Sequence, residues 1–568
     1  MIKLRPPMTK GGWTAGLAAA AVSVLSFIAF LPALRNNFVR WDDGTNLVEN
    51  PYYRGLGWAQ LKWMWTNHLL EHYVPLTWMS FGLDYAIWKQ NAFGYHFTNI
   101  LLHGVNAGLF FLLALALLEL GGPKEPHWSQ ASIWGAAFAA LLFSLHPLRV
   151  ESVAWATERR DVLSGCFYIL ALLAYLRRFT KGPGPSSAWK YYWLCLTLFV
   201  ASVLSKEMTV TLPAVLLILD VYPLRRVGSA PGQWFSTAAR QVWIEKIPFF
   251  VVSAADSIMT LRISLHNHVA ESLQQTGWIS RITMTVYGAA FYLVKTVAPF
   301  HLSPMYAVTS YKTDPSAAPF LMSLAAVIAI TAAAVVLRRR FPALLAVWVA
   351  YNVTLLPVGG IFHNGSQITA DRYTYLACFG WALLAGAAMA VGWSKTFSFP
   401  PRRVLLAGIA VLLAGVLAWR TDLQIRVWHD TEALWTRAVA EEPSAVALAD
   451  LGSAYFEDGD TLGAVELFQR AISMNPRYGF AHFNLGAAYL DLKQLNDALR
   501  EFRITQGLLP DFAPAYDGSG NALSLQGKLD DAIHDYRRAV QISPDYERGR
   551  YNLQVALTRK QHQSEQNQ

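Results

Sequence analysis

Residues 479–512 read GFAHFNLGAAYLDLKQLNDALREFRITQGLLPDF, and the same pattern recurs in the stretches before and after them. Pro476, Pro510 and Pro544 are spaced by 34 residues. Leu451-Gly452 and Tyr455 line up with Leu485-Gly486 and Tyr489. Ala464, Ala498 and Ala532 fall at equivalent positions, as do Phe468, Phe502 and Tyr536. That many positions in register predict two antiparallel helices per unit, with small residues where the helices cross. The units are 445–478, 479–512 and 513–546. The third departs at Ser519 and Leu523 yet keeps Gly520 and Ala532. Trp435, Ala438 and Pro443 read as the second helix of a degenerate unit. Asp545 to Lys560 reads as the polar capping helix that repeat arrays need, with Gln561 to Gln568 frayed.

This is the tetratricopeptide pattern, and it occupies only the C-terminal quarter. Such an array binds an extended peptide or a protein partner in its groove and does no chemistry itself. The function-bearing chemistry has to come from residues 1–421, with 422–568 as the repeat domain.

Those first residues are of another composition class. Of the 568 residues, 54% are hydrophobic and 15% charged, where soluble domains carry about 25% charged. Mean hydropathy is +0.27. Aromatics reach 13%, with 21 Trp, which suits two membrane interfaces. The net charge of +9 lies mostly between hydrophobic runs, as in cytoplasmic loops. No basic stripe with interleaved aromatics suggests nucleic acid. Cys166, Cys195 and Cys378 sit in apolar stretches and offer no disulfide or metal framework.

The apolar runs predict an all-α polytopic bundle of about eleven spans, with twelve as the alternative. The first, Trp13 to Leu34, is preceded by Lys3, Arg5 and Lys10, so it reads as uncleaved with a cytoplasmic N-terminus. Others are expected at about 95–120, 133–145, 162–176, 191–204, 208–221, 319–337, 344–356, 373–393 and 404–419. The stretch Ile247 to Pro299 holds two apolar segments that must make one net crossing. Leu56 to Asn67 reads as an interfacial helix. Arg177, Arg178, Lys181, Arg225, Arg226, Arg240, Lys246, Arg338 to Arg340, Arg402 and Arg403 mark the cytoplasmic side.

By that alternation the remaining ionisable loops share the other face. They are Asn37 to Gly44, His146 to Asp161, Ser205 to Glu207 and Gly359 to Arg372. Charged residues at membrane depth are costly and default to functional candidates. Span parity puts the repeats on that face too. Asp42 and Asp43 stand out as a carboxylate pair beside Trp41, although Asp-Asp-Gly is also turn chemistry.

Together these strings resemble the transmembrane and tetratricopeptide-repeat O-mannosyltransferases and their bacterial relatives. More broadly, they are similar to the C-type glycosyltransferases that use polyprenyl-phosphate sugars. The resemblance rests on Phe38 to Asp43 with Asn46 and Asn50, and on Pro75-Leu76-Thr77 with Phe93 to His96. It rests further on His146-Pro147 with Glu151, Arg160-Asp161, Ser205-Lys206-Glu207 and Ala370-Asp371-Arg372-Tyr373. One departure is Glu158-Arg159-Arg160-Asp161, where many relatives carry a glycine-containing string.

The resemblance implies transfer of a sugar, mannose in the family, from a lipid-linked donor to a Ser or Thr hydroxyl of an acceptor protein held by the repeats. Asp42 or Asp43 would be the base, the alternative being an Asx turn. Arg372 would clamp the donor phosphate, or else anchor at the interface paired with Asp371. Arg160 and Lys206 are second candidates, unless they only pair with Asp161 and Glu207. His146, Glu151, Glu207, Asp371 and Tyr373 would line the substrate, although a His before Pro also caps helices. His96 and His103, seven apart, are expected to be packed and hydrogen-bonded, since two ligands are too few for a metal site. No cofactor is expected, and a divalent ion at Asp42-Asp43 is not favoured. The competing functions are a membrane scaffold that recruits envelope proteins, and a lipid-linked sugar transporter. The alanine- and arginine-rich composition leans towards a bacterial inner-membrane protein with periplasmic repeats. The endoplasmic reticulum membrane with lumenal repeats is the eukaryotic counterpart.

Overall fold

The structure is a computed structural model. It describes residues 11–123, 125, 127–180, 185–228, 231–266, 277–308, 310–362, 367–396 and 399–566. Lys3, Arg5, Lys10 and Lys181, and part of the Gly359 to Arg372 loop, lie outside the described residues. Helices dominate it. Among the described residues one sheet occurs, the antiparallel pair Tyr306–Ala307 and Gln367–Thr369. The chain divides into two compact units, Met1–Asp430 and Thr431–Gln568. The last apolar helix, Pro400–Ile425, runs past the expected boundary at 421. Residues beyond it stay with the membrane unit, because Asn37 N donates to His429 O at 2.8 Å.

Among the described residues five helices are long and apolar enough to cross a membrane: Ala92–Gly121, Arg159–Phe179, Ala239–Leu265, Ala318–Arg339 and Pro400–Trp428. The count is seven if two bent pairs are single spans, and Trp13–Ala29 and Pro342–Val358 are shorter apolar helices. The ambiguous stretch resolves into Thr237–His266, which carries one of the five, and Trp278–Val297, which does not. The second turns Arg281, Thr283, Met284 and Gly288 inward, so its faces differ as those of an amphipathic helix do. The expected span at 208–221 holds a regular helix of only 10 residues, Leu212–Val221.

The two bent pairs are sharply angled. Trp128–Ser144 meets Pro147–Ala154 at 58°, and Asp371–Ala377 meets Phe379–Lys395 at 55°. Pro147 enforces the first break by lacking a backbone N–H. The straight halves pack on one another through glycine. A Cβ on Gly135 would lie 2.4 Å from Gly386 O, so small residues set how closely these helices approach.

The stretch from Arg35 to Asn91, between the first two expected spans, is more ordered than its composition suggests. It holds the helix Trp58–Thr66 and a second, Pro75–Trp88, not anticipated from sequence. Both pack into an aromatic cluster of Tyr53, Met64, Trp78, Phe81 and Tyr95. Arg159 pins that cluster. Its Nη2 donates to Asp84 Oδ2 at 2.6 Å and to Tyr95 O at 2.9 Å, and its Nε donates to Asn99 Oδ1.

A separate ion cluster ties the other end of the Arg159–Thr180 helix. Asp220 accepts from Tyr175 OH at 2.7 Å, Lys246 Nζ at 2.6 Å and Arg226 Nη1 at 2.9 Å. Glu245 accepts from Arg178 and Arg226, each at 2.8 Å.

In the second unit the repeats are three helix pairs: Ala445–Glu457 with Thr461–Met474, Gly479–Asp491 with Leu495–Leu508, and Ala513–Leu525 with Leu529–Ile542. Thr431–Glu441 precedes them. Glu547–Gln566 follows as the cap and stays helical to Gln566, while the last two residues of the stretch expected to fray lie outside the described residues. The repeat signature has a steric basis. Phe468, Phe502 and Tyr536 press on Gly452, Gly486 and Gly520, where a Cβ would sit 2.6–2.9 Å from ring carbons. Where the third unit replaces Leu by Ser519, its hydroxyl donates to buried Asp535 at 2.5 Å.

The turn inside each pair needs a left-handed residue. Gly459 and Gly527 supply it at φ +89° and +79°, but Lys493 occupies the middle turn at φ +62°. A side chain there costs about 1 kcal/mol. Lys493→Gly should therefore stabilise the repeats by about 0.5–1 kcal/mol, read as a higher unfolding midpoint by circular dichroism. A lower midpoint would show that the turn carries no strain.

Candidate functional site

The loops predicted to share one face converge at the N-terminal end of Arg159–Thr180. That helix begins earlier than expected, so Arg160 and Asp161 occupy its first turn rather than a loop. Ahead of it lies Glu158, fully buried, on which three cations close. Arg160 Nη2 lies 2.7 Å from Oε1, Lys206 Nζ 2.9 Å from Oε2, and Arg372 Nε 3.5 Å from Oε1. Burial alone would raise the Glu158 pKa, but Arg160, Lys206 and Arg372 outweigh it and hold the carboxyl well below the usual range.

The pairings differ from those expected. Arg372 does not pair with Asp371. It grips Glu151 through Nη1 and donates its backbone N–H to Glu151 Oε2 at 3.0 Å. Asp371 instead accepts from Tyr306 OH at 3.1 Å. Lys206 turns away from Glu207 and bonds Asp161 Oδ1 at 2.8 Å. Glu207 bonds His72 Nδ1 at 2.9 Å, and this contact, with burial opposing it, brings its carboxyl down to about 2. Tyr373 does meet Arg372, with the guanidinium 4.9 Å from the ring centroid.

His146 is a cap. Its Nδ1 accepts from Leu148 N at 3.2 Å and its Nε2 meets Thr296 O at 3.0 Å. With both ring nitrogens on backbone groups, it is not free to hold a sugar. His103 is packed as expected, bonded to Tyr375 OH and Ser144 O, each at 3.0 Å, and His96 is equally buried. Among the described residues no group of three or more His, Cys, Asp or Glu is placed to hold a metal ion.

The two aspartates are not equivalent. Asp43 has no exposed surface. Its Oδ1 accepts from Thr157 N at 2.8 Å and Thr157 Oγ1 at 2.5 Å, and its Oδ2 accepts from Val39 N at 3.1 Å. It latches the first loop to the loop before Glu158. Asp42 keeps 27% of its side chain exposed and lies 3.8 Å from Arg160 Nη2. Beside it three tryptophans stack. Trp41 and Trp155 have centroids 4.7 Å apart, Trp155 and Trp428 5.3 Å, and Arg372 lies 5.6 Å from the Trp155 centroid. Sequence reasoning missed Trp155, Thr157, Glu158 and Trp428 as parts of the site. For the first three the signal was there, since they flank Arg160 in one short segment.

Known proteins match both halves. Family models described as "TPR repeat" and "Tetratricopeptide repeat" match residues 520–561, 467–500 and 429–478. Protein O-mannosyl-transferase Tmtc1 of Drosophila melanogaster is 25% identical over 83% of this chain and 63% of its own length. Human protein O-mannosyl-transferase TMTC1 is 24% identical over 82% of this chain and 56% of its own. The chain is a homologue of the protein O-mannosyl-transferases. The homology runs through the membrane unit as well as the repeats, although the chain spans only about 60% of those relatives. Protein O-mannosyl-transferase tmtc2 of Xenopus laevis is 35% identical, over 28% of this chain and 17% of its own. Among solved structures, the first TPR of Spaghetti (RPAP3) bound to an HSP90 peptide is 23% identical with a TM-score of 0.20, covering 20% of this chain and 91% of that one.

Burial pushes the Asp43 carboxyl from 3.8 up to about 7, against the three donors that favour its charged form. Folded, it stays protonated up to about pH 7; unfolded, it ionises near 3.8. Its contribution to stability is therefore full below the unfolded value and lost as pH rises through the folded one. Asp43→Asn, neutral throughout, should flatten this part of the thermal-stability profile between about pH 4 and 8. An unchanged slope would show that the folded carboxyl is already ionised.

Proposed function

We propose that the chain is a membrane glycosyltransferase that moves a sugar, mannose by homology, from a polyprenyl-phosphate donor to Ser or Thr hydroxyls of an acceptor protein. The observation that carries this reading is the partly exposed Asp42 carboxylate, 3.8 Å from Arg160, beside a cluster of three buried cations. Asp42 is the base, because Asp43 has no free face. The acceptor oxygen attacks the anomeric carbon and the bond from that carbon to the phosphate oxygen breaks. Asp42 takes the hydroxyl proton, and the electron pair leaves with the polyprenyl phosphate.

In that step the phosphate gains a negative charge. Arg372, Arg160 and Lys206 stabilise the charge that develops, which favours the transition state over the bound donor. Glu151 and Tyr373 hold Arg372 in place. Trp41, stacked over Trp155, offers a flat apolar surface beside the base. The site works on the non-cytoplasmic face, and the repeats recruit the acceptor there.

Asp42→Asn should lower transfer of the glycan to protein by about 10²–10⁴-fold, the range for losing a general base. Mass spectrometry of acceptor proteins reads the transfer. Unchanged transfer with normal folding would overturn the assignment and favour the scaffold. Deleting residues 431–568 should abolish transfer to the native acceptor while leaving donor binding; transfer that survives would remove the presenting role.

A further inference from the structure

The proposed phosphate-binding cations are already occupied. Arg160, Lys206 and Arg372 all contact Glu158, at 2.7, 2.9 and 3.5 Å, and Glu158 is fully buried. Of its two oxygens, Oε1 meets Arg160 and Arg372 and Oε2 meets Lys206. This is the arrangement a phosphate's oxygens would take among the same side chains. Resting on the donor-phosphate reading of this site, we propose that Glu158 is an internal stand-in for the donor phosphate. It holds the three cations in place until a lipid-linked phosphate monoanion displaces its carboxylate.

The charge count supports this. The three cations face four carboxylates, Glu151, Glu158, Asp161 and, 3.8 Å from Arg160, Asp42. With Glu158 in place no positive charge is left over for an incoming anion, and adding one to a buried cluster already in negative excess is costly. When the Glu158 carboxylate leaves, one negative charge goes with it. A sugar on a single phosphate carries one negative charge and replaces it one for one.

A second observation points to an incoming acceptor group. Arg160 Nε is buried without a hydrogen-bond partner, and so is Trp78 Nε1. Both residues line one small pocket with Asn46, His72, Thr77 and Thr157. A buried N–H left unmet is costly, so the cluster lacks an acceptor even with Glu158 seated. A ligand oxygen entering beside Arg160 would meet that need.

Binding of a polyprenyl monophosphate to the detergent-solubilised full chain tests the proposal without depending on transfer. Glu158→Gln removes the competing charge while keeping the shape. It should bind the monophosphate at least about tenfold tighter than the unaltered chain, a change of about 1.4 kcal/mol. Glu158→Asp, which keeps the charge on a shorter arm, should fall between and serves if the Gln variant does not fold. Glu245→Gln, which removes a buried carboxylate from the other ion cluster, should bind as the unaltered chain does. Equal or weaker binding by both Glu158 variants would overturn the proposal, making Glu158 a fixed organiser of the cations. Equal tightening by Glu245→Gln would overturn it as mere loosening of the fold. If no version binds polyprenyl monophosphate, the donor reading falls and this inference falls with it. If all bind alike, only the inference does.

Discussion

One buried carboxylate organises the membrane unit. Glu158 collects Arg160 from its own segment, Lys206 from the loop after Pro185–Val203, and Arg372 from the bend before Phe379–Lys395. Four distant stretches of sequence meet there, counting the Asp42-Asp43 loop that Thr157 fastens. Ions buried this deeply are held only if each finds partners, because desolvation offsets much of their attraction. Removing any one would leave the others uncompensated, so the site is also a constraint on how the helix ends are placed.

The helix breaks make the convergence possible. A continuous helix buries its backbone polar groups and has none to spare. At the bends before Pro147 and Phe379 the chain turns through more than 50°, and Arg149, Glu151, Asp371 and Arg372 sit on the short helical segments beside those bends. Arg149 shows how tightly this region is knit, with Nη2 donating to Thr374 Oγ1 at 2.7 Å across the two bends. The aromatic cap around Tyr53 and Trp78 closes a further side, and the Asp220–Glu245 cluster fixes the far end of the helix that carries the site.

The repeats were the most legible part, because glycine and aromatic ring must meet once per unit and so recur at a fixed period. The membrane fold was legible as a class. Individual spans were not, since hydropathy reports apolar length and is blind to a bend such as that at Cys378. The helix Pro75–Trp88 was hidden because its aromatic and polar residues form a local cap rather than an apolar stripe. The site loops were found, but not their pairings. Neighbouring opposite charges suggested Asp371 with Arg372 and Lys206 with Glu207. Tertiary contacts chose Glu151 for Arg372, and Glu158 and Asp161 for Lys206. Charges adjacent along a chain point in different directions when the backbone is extended or at a helix start, so sequence proximity misassigns partners. The difference between Asp42 and Asp43 is likewise tertiary, since only the arrival of Thr157 buries one of them.

The most direct measurement is an electron cryo-microscopy structure of the full chain with polyprenyl monophosphate bound. The account predicts phosphate oxygens within hydrogen-bond distance of Arg372, Arg160 and Lys206, with the Glu158 carboxylate moved off at least two of them. A phosphate bound elsewhere, or one seated beside a Glu158 that keeps all three cations, would contradict it.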